Sequence, residues 1–255
     1  MNRVDNRSGF TIIELLLAMT FVSFLLMGIA LTVMQIAVTY NKGLTLKAVD
    51  ESGRVVVSDI QRTISAGRPL DIGINGTDGI NFKPQYKIIA DAASGADGGR
   101  LCTGIYSYIW NTGKGLGETS DGGNEAIAAN QVNRYEDSAE ILRLVKVRDT
   151  GALYCNDLDR QVMMADSTEL LSGDRKLAVQ SFAIKPSVDD TTLQQALYSI
   201  TLELGTSEQD TLITELTTAD TSCASPIEGV TKNEFCAVNK FEFTARAGNR
   251  GEGIQ

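Results

Sequence analysis

The chain of 255 residues can hold one large domain or two small ones, and it carries a net charge of -9 with a pI near 4.7. A nucleic-acid partner is not expected, because no run of Lys and Arg forms a basic face. Histidine is absent, which removes the commonest general base and the commonest zinc ligand. We therefore expect no enzymatic activity, no cofactor and no metal.

The amino-terminal region begins with a short polar segment and continues as a long apolar one. Residues 1–9, MNRVDNRSG, contain Arg3 and Arg7, whereas residues 15–38 carry no charge. The apolar segment exceeds the roughly 20 residues that a helix needs to cross a bilayer core. The preceding arginines favour a cytoplasmic amino terminus, with the rest of the chain outside. No A-x-A-like cleavage site follows, so an ordinary secretory signal is not expected.

Glu14 places a carboxylate near the start of the apolar segment, where a charge costs on the order of 3 kcal/mol. Thr11-Ile12-Ile13-Glu14 fits a capping box, which accounts for a Glu in a first helical turn. A capping box does not account for the adjoining Gly9–Phe10 junction. Cleavage there would expose the amine of Phe10, and we favour pairing of Glu14 with that amine on a neighbouring copy.

The stretch Gly9-Phe10-Thr11-Ile12-Ile13-Glu14-Leu15-Leu16 resembles the class III signal of type IV prepilins and pseudopilins. The resemblance implies that a prepilin peptidase cleaves between Gly9 and Phe10 and methylates the Phe10 amine. It implies that Glu14 docks the subunit into a growing filament. The implied partners are other pilin subunits, met through the amino-terminal helix, and an inner-membrane assembly platform. The implied location is the inner membrane as a single-pass protein, followed by a cell-surface pilus.

One helix is predicted over residues 10–66, with residues 15–38 in the membrane. Its later part has apolar residues at spacings of three and four, which predict one stripe facing a sheet. Gly67 suits the C′ position and Pro69 follows, so the helix should end here. The residues of the stripe are Leu46, Val49, Gly53, Val56, Ile60 and Ile64.

Residues 67–255 are predicted to form a β-rich head outside the cytoplasm. Residues 70–135 are rich in Gly, Asn, Asp and Ser and predict long loops with two short strands. Later segments predict an antiparallel sheet, in which Tyr198, Ile200, Leu202 and Leu204 share one face. The predicted strands are Tyr86–Ala90, Ile105–Trp110, Glu140–Arg148 with a hairpin partner at Gly151–Cys155, Leu177–Lys185, Tyr198–Leu204 and Phe241–Ala245.

The predicted fold is therefore α+β, with a long helix packed on an antiparallel sheet, which is the plan expected for pilins. The order of the later strands is similar, more weakly, to that of large minor pilins of the PilW type and of J-type minor pseudopilins. The resemblance implies a minor pilin that supports pilus assembly, adhesion or motility. A bulky head would crowd a tightly wound filament, which favours a tip or priming position.

The four cysteines, Cys102, Cys155, Cys223 and Cys236, all follow the apolar segment, and none forms a CxxC pair. If this region lies outside the cytoplasm, two disulfides are expected. Of the three possible pairings, we favour Cys223 with Cys236, which closes a short loop, and by elimination Cys102 with Cys155. Free buried thiols are the alternative.

Several other interpretations stay open at this stage. A pseudopilin of a type II secretion system would carry the same motif, and neighbouring genes would distinguish it. A pilus-borne adhesin could bind a ligand through Trp110 and the Gly-rich loops around it, although a core position for Trp110 is favoured. Oxygen ligands in the stretches Asn156–Asp159 and Asp189-Asp190 could hold calcium, but solvated acidic turns are favoured because no EF-hand spacing is present.

Overall fold

The computed structural model contains one long helix, ten strands and a short helix in the residues it describes. These residues are 11–70, 72, 84–91, 95–113, 116, 133–138, 140–173, 175–187, 197–207, 212–214, 221–223 and 235–248. The helices are α1 (Ile12–Ala66) and α2 (Leu153–Asn156), with a 3-10 turn at Met164–Asp166. The strands are β1 (Gln85–Asp91), β2 (Gly95–Cys102), β3 (Tyr106–Asn111), β4 (Leu144–Arg148), β5 (Ser167–Glu169), β6 (Leu177–Pro186), β7 (Leu197–Thr206), β8 (Leu212–Thr214), β9 (Thr221–Cys223) and β10 (Val238–Arg246).

The strands form three sheets, and every pairing within them is antiparallel. The largest sheet has the order β1-β2-β3-β4-β5, the second has the order β10-β7-β6, and β8 pairs with β9. An isolated parallel bridge between Thr112 and Val179 links the two larger sheets. The predicted combination of one long amino-terminal helix with antiparallel sheets is therefore confirmed.

The two halves of α1 have different surroundings. Every residue from Ile12 to Tyr40 is exposed, and we call residues 12–40 the apolar half. We call residues 45–66 the head-bound half, because its stripe packs on the sheets. The stripe is confirmed for Val49, Gly53, Val56, Ile60 and Ile64, all of which are buried.

The predicted end of the helix is confirmed, because α1 ends at Ala66, but the predictions for the burial of Leu46 and for the conformation of Gly67 were wrong. Leu46 is 49% exposed, since at this level the head covers the helix side that carries the buried Thr45. Gly67 caps α1 with an extended backbone, φ -92°, instead of the left-handed C′ conformation. A Cβ on Gly67 would lie 2.9 Å from the Thr103 carbonyl oxygen, so close contact with the β2–β3 turn favours glycine here.

Two apolar clusters form the interior of the head. The larger one lies between the head-bound half of α1 and the two larger sheets, and it includes Tyr108, Trp110, Tyr198 and Leu202. The four alternating residues predicted to share one face of β7 are all buried in it. The smaller cluster includes Cys102, Ile109, Val145 and Cys155, and contains none of the residues of α1.

The predicted strands near 86–90, 105–110, 177–185, 198–204 and 241–245 are confirmed as β1, β3, β6, β7 and β10. Residues 95–102, predicted as loop, form β2. Gly99 fits this strand because the indole of Trp110 occupies the space where a Cβ would stand.

Residues 140–155 also differ from the prediction. The strand predicted over 140–148 begins only at Leu144, and Ile141 makes an isolated bridge with Arg134. The predicted hairpin partner at 151–155 is wrong, because the chain turns at Ala152, φ 57°, and enters α2. The Asp149 carboxylate accepts hydrogen bonds from the backbone N–H groups of Leu153 and Tyr154, 3.0 and 3.2 Å away, which favours a helical turn.

Candidate functional site

The first turn of α1 contains the predicted capping box. The Glu14 backbone N–H donates to Thr11 Oγ1 at 3.3 Å, and the Thr11 backbone N–H donates to Glu14 Oε2 at 3.0 Å. The Thr11 hydroxyl also donates to Glu14 Oε2, at 2.9 Å. Both residues are exposed, so the Glu14 carboxylate is accessible at the start of the helix. Gly9 and Phe10 lie outside the described residues, and the cleavage and pairing predicted for them stay predictions.

The apolar half of α1 is exposed on all of its faces. Its best 18-residue window has a mean hydropathy of 2.4, and none of that window is buried against the head. By length and composition, this helix can cross a membrane. Large side chains such as Phe21 and Phe24, 67% and 76% exposed, would be unfavourable in water. The arrangement therefore suits lipid or neighbouring helices.

A polar network attaches the head-bound half of α1 to the five-stranded sheet. The Lys146 ammonium lies 2.8 Å from both carboxylate oxygens of Asp59 and 4.4 Å from the centre of the Tyr106 ring. The Tyr108 hydroxyl donates to Asp59 Oδ2 at 2.7 Å, and it lies 2.6 Å from the Thr63 hydroxyl. Burial raises the pKa of Tyr108 above its usual value, so the hydroxyl keeps its proton at neutral pH.

A second line of contacts attaches α1 to β10. The ring of Phe241 packs directly on Gly53. The Gln61 amide donates to the Thr244 carbonyl at 2.9 Å. Further toward the membrane end, the Asn239 amide donates to Asp50 Oδ1 at 3.3 Å. These contacts attach β10 along the head-bound half of α1, and we call α1 the stem of the head.

The head contains two disulfides, and they join the pairs that the sequence favoured. Cys102 at the end of β2 is bonded to Cys155 in α2, with a sequence separation of 53 residues. Cys223 at the end of β9 is bonded to Cys236, just before β10, with a separation of 13. Both bonds are compatible with a head outside the cytoplasm.

Buried Arg100 organises the loop that follows the first disulfide, and the sequence offered no signal for it. Its guanidinium donates to the carbonyls of Tyr154, Asp157, Leu158 and Arg160 at 2.7 to 3.1 Å. It also donates to Asn133 Oδ1, at 2.9 Å. Burial lowers the pKa of Arg100 to about 10, so the side chain stays charged at neutral pH and can serve all these acceptors.

Two predicted alternatives can be located in the structure. Trp110 is only 2% exposed and packs against Phe182, with ring centres 4.8 Å apart, so it belongs to the core. This removes the feature that suggested a Trp-based ligand surface. Among the described residues, which include Asp157 and Asp159, no group of three or more acidic or cysteine side chains could hold a metal ion. Asp189 and Asp190 lie outside these residues.

Comparison of the chain with protein-family models, with curated proteins and with solved structures finds no match. Any assignment of function therefore depends on the amino-terminal motif and on the geometry of α1.

Proposed function

We propose that the protein is a minor type IV pilin, made as a precursor whose residues 1–9 are removed by a prepilin peptidase. After processing, the mature chain joins a pilus through α1. The observation that carries this proposal is the position of Glu14, in the first turn of an apolar half that is exposed on every side.

Two features of the fold support a filament subunit over a simple membrane anchor. The apolar half and the head-bound half belong to one unbroken helix. A force that acts on the apolar half would therefore be transmitted to the head. The Asp59–Lys146 network and the β10 contacts attach the head to this stem at several points. A membrane anchor alone would need neither a carboxylate in its first turn nor attachment to the head at several points.

The bulk of the head supports a minor position. Two larger sheets, two disulfides and two apolar clusters follow a single stem helix. Heads of this size would crowd a tightly wound shaft, and a tip or priming position avoids that crowding. The capping box and the docking role are compatible, because Glu14 still has lone pairs for a second partner.

Mass spectrometry of filament-associated protein tests the proposal. We expect a mature chain that begins with N-methylated Phe10. Gly9→Leu, which puts bulk at the small position before the cleavage site, should retain the leader, whereas Ser8→Ala should be processed as the wild type. An intact leader on wild-type protein in purified filaments would overturn the proposal.

A further inference from the structure

Gln35 differs from every other polar side chain between residues 15 and 39 of α1. Thr20, Ser23, Thr32 and Thr39 each donate to a backbone carbonyl of their own helix, at 2.8 to 2.9 Å. The amide of Gln35 makes no hydrogen bond with any residue that the structure describes. Gln35 would lie near the outer end of the predicted membrane span, residues 15–38, where its side-chain amide has no hydrogen-bond partner among the residues that the structure describes.

Gln35 lies on a face of α1 that a second helix can approach closely. Gly28, Thr32, Gln35, Thr39 and Gly43, which we call the Gln35 face, follow one another at steps of three and four residues. A Cβ on Gly28 or on Gly43 would meet no atom within 4 Å. This part of the helix carries a shallow, open depression, which is lined by Thr32, Gln35, Ile36, Thr39, Tyr40, Gly43 and Leu44. Small residues of this kind are enriched where membrane helices meet.

The chemistry of this face fits a second copy of the same chain. A primary amide carries both donors and an acceptor, so two Gln35 side chains can satisfy each other. All copies cross the bilayer in the same direction, and a parallel pair with twofold symmetry places each Gln35 opposite its equivalent. A charged or purely apolar partner would leave part of the amide without a hydrogen bond.

We propose that two copies of this chain pair in the bilayer through the Gln35 face, with their Gln35 amides hydrogen-bonded to each other. The proposal rests on the membrane span that is part of the proposed function. Helices that meet through small residues commonly cross at about 40°, so the two ends that carry Glu14 would diverge. The dimer would therefore form before filament assembly, in the membrane, and would leave Glu14 free to contact another subunit.

Disulfide cross-linking tests the pairing. The full-length protein is purified and reconstituted, as the only protein, in vesicles of phosphatidylethanolamine and phosphatidylglycerol. All four native cysteines are in disulfides, so a cysteine introduced into α1 is the only free thiol. Thr32→Cys and Thr39→Cys lie on the Gln35 face, while Ala30→Cys and Ala37→Cys lie at matching depths on the opposite side.

We expect oxidation to give about tenfold more covalent dimer for the two variants on the Gln35 face than for the two controls. Adding Gln35→Leu to Thr39→Cys should lower that yield by about fivefold or more, and Gln35→Asn, which keeps an amide, should retain most of it. Equal yields on both sides, no dimer on either, or a yield insensitive to Gln35→Leu would each overturn the proposal.

Two further outcomes separate this proposal from the proposed function. Protein that alkaline carbonate extracts from the vesicles is not integrated in the membrane, and that result would overturn both. Integrated protein that remains monomeric would overturn the pairing alone. In cell membranes, cross-linking of Thr39→Cys to a different protein in place of its own copy would also overturn it.

Discussion

The two halves of α1 belong to one uninterrupted helix, yet they use different patterns for different surroundings. The apolar half is hydrophobic all round, as is typical of helices that lie in lipid or among other helices. The head-bound half has a single buried stripe and charged residues elsewhere, as is typical of a helix on a sheet. The comparison shows that, among the described residues, the core of the head includes the head-bound half of α1 and none of the apolar half, which stays exposed.

If the head is self-sufficient, its stability should depend on its own cross-links and not on the apolar half. Under the chain-entropy model, Cys102→Ser with Cys155→Ser removes about 4 kcal/mol from the free energy of unfolding, and Cys223→Ser with Cys236→Ser about 3 kcal/mol. The difference arises because the first bond closes the longer loop. Urea unfolding in detergent, followed by the fluorescence of the single buried Trp110, measures both. Equal losses would contradict the loop-length argument.

Loss of the Asp59–Lys146 pair should lower the free energy of unfolding far more than loss of an exposed ion pair on the same helix. Lys146→Met leaves the Asp59 carboxylate without its cation at a site that is largely buried. We expect a loss of about 2 kcal/mol, discounted from the value for fully buried pairs because both side chains keep some exposure. Urea titration of the purified variant measures this loss.

The control for that variant is Arg54→Met, which removes the exposed pair between Arg54 and Asp50. It should cost less than about 0.5 kcal/mol, because water screens exposed charges. A loss for Arg54→Met as large as that for Lys146→Met would show that the network is not a specific junction between stem and head.

The same substitution at two glycines of α1 compares the halves directly. A Cβ on Gly53 collides with the ring of Phe241, so Gly53→Ala should lower the stability of the head by about 1 kcal/mol after the gain in helix propensity is counted. Gly28→Ala meets no atom in the chain and should leave the unfolding midpoint of the head unchanged. A midpoint shift with Gly28→Ala would contradict the independence of the two halves.

Much of the fold follows from local patterns in the sequence. The apolar half, the stripe and the alternation in β7 are all periodic signals that span a few residues. β2 was missed because its glycines disfavour a strand by propensity; in the structure the Trp110 ring occupies the Cβ space of Gly99, and the Trp110 backbone carbonyl that of Gly98. The turn at Ala152 was missed because the cap from Asp149 depends on a left-handed residue that composition does not reveal.

At the amino-terminal end, the capping box of Thr11 and Glu14 could be predicted from four neighbouring residues and is confirmed, while the roles of Gly9, Phe10 and Glu14 in processing and docking stay predictions. The junction with the head was much less predictable. By contrast, 87 residues separate Asp59 from Lys146, and Arg100 donates to a loop more than 50 residues away. The only local hint was Lys146 between two buried valines, Val145 and Val147, which places it on the other face of β4.

The most direct test of the central claim is the incorporation of a Glu14→Gln variant into filaments. Gln at this position preserves a capping box but carries no charge, so it separates capping from pairing. We expect normal membrane insertion and a fall of about tenfold or more in the sheared filament fraction, as for Glu14→Leu, because the Phe10 ammonium of a neighbour loses its counter-charge. Wild-type incorporation of Glu14→Gln would contradict the account and leave Glu14 as a helix cap alone.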